Sequence, residues 1–417
     1  MMLAALAIRL IVAAFALPSI LDPGIDHFPF GWEMGHVGRS IALGHGFGSP
    51  YQADTGPTAM LPPAYPYIVG AVFKLFGIFT KASAMVLLAL QSLFSAVTCI
   101  PIRGIALWAF GPRAARVAGW LWTFFPYAIY LSAATIWSHT LSALLFALIA
   151  WLALRIAEGT GWRDWIWLGI TAGVTGLTNP TILPVCAALV IWLWLRAPER
   201  RAEIMLCGAT AALIGIACVA PWTIRNYEVF GHFVPLRSNF WAHVYGGNSL
   251  DTGKFWNDDH DPTVDPGELA EATRLGETAY MAEKKRQALE FISQHPRVYA
   301  YLVLKRVSYF WTGIFNLSPQ FIRENPGETG DIPFCTALTV LALIGLVRLR
   351  RVDASRIWPF VICMGVYPVL YYFTTYEIAY HHPLDPVLIV LCGGALVRAS
   401  LLRGSSRVGG FACDESR

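Results

Sequence analysis

The residues that invite chemistry are few, and they sit where apolar stretches end. Asp22, Asp26 and Glu33 follow the first such stretch, Arg225 and Asn226 close the seventh, and Glu377, His381 and His382 precede the last. A reaction on a lipid-linked phosphate needs this set: cations for the phosphate, and a carboxylate to take a proton from an attacking hydroxyl. Glu33 and Asp26 are the candidate catalytic carboxylates. Glu33 lies in GWEMGHVGR, on an expected interfacial helix where partial desolvation would make it a base near neutral pH. Asp22 and Asp26 read equally as solvated surface groups, because carboxylates prefer water.

The cations carry paired readings. Arg225, in PWTIRNY, is either a phosphate contact or an arginine snorkelling from the end of a span. Lys305 and Arg306 either anchor in lipid headgroups or hold a carrier phosphate. His381 and His382, in AYHHPLDP, form a polar turn, a phosphate contact or a metal pair. Tyr65, Trp32, Trp137, Trp241 and Tyr245 are aromatic rings suited to stacking on sugars. Arg9 is a structural or interfacial charge, or faces the inside of a bundle. No phosphate-cradling G-x-x-x-x-G-K-[ST], H-E-x-x-H, nucleophile elbow or paired CxxC occurs. No cofactor is required by these patterns; a divalent cation is compatible with them, and no metal ligands are assigned.

The elements that must position these groups are membrane helices. The 417 residues are 56% hydrophobic and only 14% charged, with a mean hydropathy of +0.51, whereas a soluble chain carries about a quarter charged residues. Apolar stretches long enough to cross about 30 Å of hydrocarbon recur along the chain, without the alternation of a barrel. The fold class expected is therefore an all-α integral-membrane bundle. Ten spans are predicted, near 3–21, 83–102, 114–131, 137–154, 164–178, 181–195, 204–223, 332–347, 357–373 and 384–399. The first lacks a basic n-region and a small-residue cleavage site, so it reads as a retained span. Stretches 65–79 and 299–315 carry Lys74 and the Lys305–Arg306 pair in their middles and read as interfacial.

That assignment puts the Arg-bearing connections on one side, the cytoplasm by the positive-inside rule. The domains expected are an N-terminal membrane module, 1–223, with a first outer loop at 22–82; a second outer segment, 224–331; C-terminal membrane helices, 332–399; and a cytoplasmic tail, 400–417. In the first loop, Trp32 to Leu43 form an amphipathic helix with Gly44 suited to its C-terminal cap. In the second, Asp265, Pro266 and Glu268 signal a helix start. The helix is expected to run to Gln294, with Leu275, Ala279, Ala282, Leu289 and Ile292 as its packing stripe. The eight cysteines lie mostly in apolar segments, and no disulfide framework is readable.

An acidic residue before HVGRSIALGHGF, then LPPAYPYIVGAVFKLFG, PWTIRNYEVFGHFVPLRSN and HHPLDPVLIVL, together resemble the GT-C superfamily of integral-membrane glycosyltransferases. The resemblance is to the branch of protein O-mannosyltransferases and lipid A aminoarabinose transferases, and it extends from about 22 to 396. It implies a bundle with interfacial helices in the first outer loop, PPAYPY marking the second of them. It also implies a polyprenyl-phosphate sugar donor and an acidic base in that loop. The family's Asp-Glu pair stands eight or nine residues before the arginine matched by Arg39, where this chain has Phe30 and Gly31. Glu33 is then the nearest acidic substitute and Asp26 the alternative, while Arg39 joins the substrate-binding set. The expected reaction is an inverting transfer on the periplasmic face of the inner membrane. Its partners are the lipid-linked donor, the bilayer and an acceptor the sequence does not name, with no nucleic acid. A transporter or flippase of a lipid-linked sugar is the competing reading.

Overall fold

The computed structural model describes residues 1–22, 24, 28–159, 161–248, 261–316, 318–324 and 326–397. Asp26, Cys413 and the 400–417 tail lie outside them. The described chain is helical, with one isolated bridge between Gly48 and Pro57. It begins with α1 (Met2–Ile20), α2 (Glu33–Ala42), α3 (Ala64–Phe76), α4 (Lys81–Val97), α5 (Cys99–Phe110), α6 (Pro112–Thr123) and α7 (Pro126–Ala133). It continues through α8 (His139–Ala157), α9 (Trp162–Gly176), α10 (Leu183–Arg196), α11 (Arg201–Phe230) and α12 (Phe240–Gly246). A helix pair, α13 (Pro266–Leu275) and α14 (Glu277–Gln294), leads to α15 (Pro296–Thr312) and α16 (Pro319–Glu324). The chain closes with α17 (Pro326–Val352), α18 (Trp358–Val366), α19 (Val369–Phe373) and α20 (Asp385–Leu396).

The expected spans fall largely on helix, although 114–131 divides into α6 and α7, 357–373 divides into α18 and α19, and residues 398 and 399 lie outside the described ones. Among the described residues six helical stretches are long and apolar enough to cross a membrane: Met2–Ile20, Lys81–Phe110, His139–Ala157, Pro198–Phe230, Gly330–Val352 and Ala354–Phe373. The protein is a multi-pass membrane protein. Burial follows the helical period. In α1 only Ala5, Arg9, Ala13, Leu17 and Ile20 are buried, a stripe of roughly one residue per turn, while Phe15 is 82% exposed and Leu206 of α11 72%. Such surfaces suit lipid rather than water. By contrast α8 and α20 are buried nearly all round and form the middle of the bundle.

Arg9 faces inward. Its Nε donates to Ser95 Oγ at 2.7 Å, Nη1 to the Ala5 and Thr123 carbonyls, and Nη2 to the Trp122 carbonyl at 3.1 Å. The charge is thus satisfied by α4 and α6, as a buried guanidinium must be. The seven described cysteines are free.

Two pairs of helices frame the candidate site. The α2 and α3 helices cross so closely that a Cβ on Gly38 would lie 2.6 Å from Val69 Cγ1, and one on Gly70 2.7 Å from Ile41 Cγ2; only glycine fits both places. Gly44, at φ +84°, follows α2 as expected. The expected helix from Asp265 to Gln294 differs: it starts at the Asp265 cap, whose Oδ1 accepts from Glu268 N at 2.7 Å, but breaks at Gly276, where φ is +72°. The break re-aims α14. Its buried side chains are Tyr280, Met281, Lys284 and Ala288, not the apolar stripe named above, and Leu289 is exposed. Lys284 and Tyr280 are buried because Glu268 takes both polar ends, at 2.8 Å each.

Candidate active site

Glu33 is held by a strained turn. Gly31 and Trp32 both have positive φ, +81° and +39°; for tryptophan this conformation costs energy and persists only where packing enforces it. The packing is visible. Ile136 N donates to the Pro29 carbonyl at 2.7 Å, a Cβ on Gly31 would lie 2.2 Å from the Ile136 carbonyl oxygen, and the Phe30 ring is buried against Phe73 and Phe79. The turn delivers Glu33 as the first residue of α2. There the helix N-terminus favours a negative charge.

Two other segments place charges within electrostatic reach of that carboxylate. The turn after α11 brings Arg237, and the segment before α20 brings Glu377 and Tyr380; Asp261 lies within electrostatic reach as well. Glu33 keeps a partial opening to solvent, yet the surrounding protein desolvates its carboxyl and raises its pKa to about 8. Asp261 and Glu377 add like-charge repulsion that raises it further, against the Arg237 charge that lowers it. Burial in turn pulls Arg237 below its ordinary value.

Arg237 is aimed by its neighbours. Its Nε donates to Asn239 Oδ1 at 2.5 Å, and its Nη2 lies 3.2 Å from His243 Nε2, to which Asn239 Nδ2 also points at 3.0 Å. Two donors on one ring nitrogen make His243 Nε2 the acceptor. The imidazole is neutral, its pKa lowered to about 3 by burial and by the Arg237 charge. Opposite, the Tyr380 ring stacks on Tyr371 at 5.0 Å and lies 6.2 Å from His139. The Glu33 carboxyl, raised toward neutrality, thus lies within electrostatic reach of the Arg237 guanidinium and of Tyr380.

The other expected residues are placed as follows. Arg225 donates Nη1 to the Thr58 carbonyl at 2.7 Å and Nη2 to the Phe47 carbonyl at 2.8 Å, with Trp222 beneath it. Arg306 gives Nε to the Tyr372 carbonyl, Nη1 to the Gly247 carbonyl and Nη2 to Asn248 Oδ1, each at 2.8 Å. Both guanidinium groups are thereby tied to backbone and side chains of this chain. Lys305 is half-buried over the Tyr309 ring, Arg39 is exposed at the last turn of α2, and Tyr65 is buried with no partner for its hydroxyl among the described residues.

His381 and His382 share one buried carboxylate, with Nδ1 at 2.6 and 2.8 Å from the two oxygens of Asp385. Both Nε2 atoms lack a partner among the described residues. His381 and Asp385 line a small recess with Phe125, Tyr127, Asp331 and Phe334. Among the described residues no group of three or more His, Cys, Asp and Glu side chains is placed to hold a metal ion. The sequence reading named Glu377 but gave it no role, and it passed over Arg237 and Asp261. Arg237 stands inside the quoted PWTIRNYEVFGHFVPLRSN stretch, a second arginine after the same helix.

Comparison with known proteins bears on this arrangement. Residues 61–224 match the family of dolichyl-phosphate-mannose-protein mannosyltransferases, a span that covers α3 to most of α11 but neither Glu33 nor Arg237. A comparison with curated proteins finds no match. Among solved structures, the archaeal oligosaccharyltransferase AglB from Archaeoglobus fulgidus, in complex with an inhibitory peptide and a dolichol-phosphate, is similar with a TM-score of 0.55 at 12% identity. That match covers 94% of this chain and 50% of the other. The apo form of the A. fulgidus enzyme gives 0.54 at 14% identity over the same shares. ArnT from Cupriavidus metallidurans bound to undecaprenyl phosphate gives 0.43 at 14%, covering 94% and 76%. This chain spans about half the length of the archaeal structures it matches. Residues 61–224 thus resemble that mannosyltransferase family, and the archaeal oligosaccharyltransferase structures share their helical fold with nearly all of this chain.

Proposed function

We propose that the protein moves a sugar from a polyprenyl-phosphate carrier to an acceptor hydroxyl on the outer, periplasmic side of the membrane, with inversion at the anomeric carbon. The observation that carries this reading is Glu33, a carboxyl whose pKa is raised to about 8 in a site that also holds Arg237. A base poised near the working pH combines a useful ionised fraction with the strongest proton affinity. The acceptor oxygen attacks the anomeric carbon and gives its proton to Glu33. The carbon–oxygen bond to the carrier breaks, and polyprenyl phosphate leaves with the electron pair. Arg237 holds that phosphate as its negative charge grows, a part for which a bidentate guanidinium is suited. The Tyr380–Tyr371 wall offers a stacking face to the sugar ring.

The fold shared with an oligosaccharyltransferase solved with dolichol-phosphate supports a lipid-phosphate ligand. His381, His382 and Lys305 stand as further contacts for the carrier or sugar, whereas the hydrogen bonds of Arg225 and Arg306 favour a part in holding the outer loops. The test is to incubate purified protein in lipid with a panel of polyprenyl-phosphate sugars and acceptors and to read carrier release. Release that depends on acceptor supports transfer. Movement of intact lipid-linked sugar across sealed vesicles without release would replace transfer by transport.

A further inference from the structure

The first outer loop, the turn that carries Arg237 and the outer helix pair meet at a single carboxylate. Glu277 opens α14 immediately after the Gly276 break. Its Oε1 accepts from Ala59 N at 2.8 Å and from Ser238 Oγ at 2.7 Å, and its Oε2 accepts from Thr58 Oγ1. The two gripped segments also hold each other, Ser238 N donating to the Ala59 carbonyl at 2.9 Å. Arg225 fastens the same loop from the bundle side through the Thr58 and Phe47 carbonyls. Ser238 is the residue next to Arg237. The hold on its side chain is therefore one residue removed from the guanidinium whose charge reaches Glu33.

We propose that Glu277 is a positioning residue, tying the α13–α14 pair to the loop at 47–60 and to the Arg237 turn so that Arg237 stays directed at the Glu33 site. Its catalytic consequence rests on the function proposed above; the clamp itself rests on geometry alone. The bonding pattern says which substitutions it tolerates. Three donors converge on two oxygens, so alanine leaves the Ala59 amide and two hydroxyls without their acceptor. Glutamine keeps one oxygen for Ala59 N and Ser238 Oγ and turns its amide toward Thr58, whose hydroxyl can accept instead of donate.

The experiment uses the full chain in lipid nanodiscs and reads hydrogen exchange together with steady-state transfer. Glu277→Ala should speed exchange in 47–60 and 234–239 by about tenfold, the scale of one lost hydrogen bond to a charged group. Its KM for the polyprenyl-phosphate sugar should rise several-fold with a smaller change in kcat, and Glu277→Gln should restore most of both. Glu283→Ala, which removes a half-buried partner of Arg286 on the same helix, should change neither. Ser238→Ala removes one donor only and should speed exchange in 234–239 alone, which keeps the test decisive if Glu277→Ala does not fold. Native-like exchange in both Glu277→Ala and Ser238→Ala overturns the clamp. Faster exchange with an unchanged KM overturns the positioning role. If no carrier is turned over by the unaltered protein, the proposed function fails while the exchange data still decide the clamp.

Discussion

A base with a pKa of about 8 makes a definite demand on the pH profile. Glu33 must be ionised to accept the proton, so activity should be present above that pH and lost as pH falls through it. At pH 7 about one tenth of the carboxyl is ionised and at pH 9 about nine tenths, a rise in kcat/KM of about tenfold across the interval. The cause can be tested separately from the value. After desolvation, the largest influence raising Glu33 is the charge of Asp261. Asp261→Asn removes that charge yet keeps the Oδ1 that accepts from Thr263 N at 2.8 Å. The acid limb of kcat/KM should then move to lower pH, so that the variant is the more active enzyme near pH 6 to 7. The assay is carrier release at saturating acceptor, with folding at each pH checked by thermal unfolding. A limb that stays in place when Asp261 is neutralised, or one lying at the usual carboxylate range near 4, would refute the electrostatic reasoning.

Other perturbations follow from the same geometry. Arg237→Ala should raise the KM for lipid-linked donor at least tenfold while Arg237→Lys recovers part of it, since a point charge replaces a planar fork; equal donor affinity in all three proteins would remove the phosphate role. Arg225→Ala should lower stability by about 2 kcal/mol or more, because two loop carbonyls lose a charged donor, and should lower the thermal midpoint of protein without donor. An unchanged midpoint with weakened donor binding would restore Arg225 as a phosphate contact. Lys284→Met leaves Glu268 partly buried without its ion pair and should cost about 3 to 5 kcal/mol locally, seen as faster proteolysis within 261–295.

Much of the frame was legible because its signals are local. Apolar length gave the helices, but of the ten expected spans 114–131, 164–178, 181–195 and 384–399 are, like 65–79 and 299–315, absent from the six long apolar helices among the described residues. The α2 helix and Gly44 followed from a short amphipathic period and a glycine. The α13–α14 pair was misread for an equally local reason: Gly276 was passed over inside a helical pattern, and the polar ends of Tyr280 and Lys284 masked the buried face.

The choice between Arg225 and Arg237 was not local at all. The two follow the same helix and look alike in sequence. Their surroundings differ because Arg225 meets carbonyls at 47 and 58, whereas Arg237 lies within electrostatic reach of Glu33. Those contacts join segments more than 150 residues apart, and no periodicity encodes them. Glu33 was singled out from its helix, but its environment of Asp261, Glu377 and Arg237 exists only in the fold.

The most direct test of the central claim is acceptor-dependent carrier release by Glu33→Gln, measured with a polyprenyl-phosphate sugar that the unaltered protein uses. Glutamine keeps the size and polarity of Glu33 and removes its ability to take a proton. The account predicts that the variant folds, binds the lipid-linked donor as tightly as before and loses transfer by at least a hundredfold, the scale of general-base catalysis at about 10²–10⁴. Full transfer by a folded, donor-binding Glu33→Gln protein would contradict it.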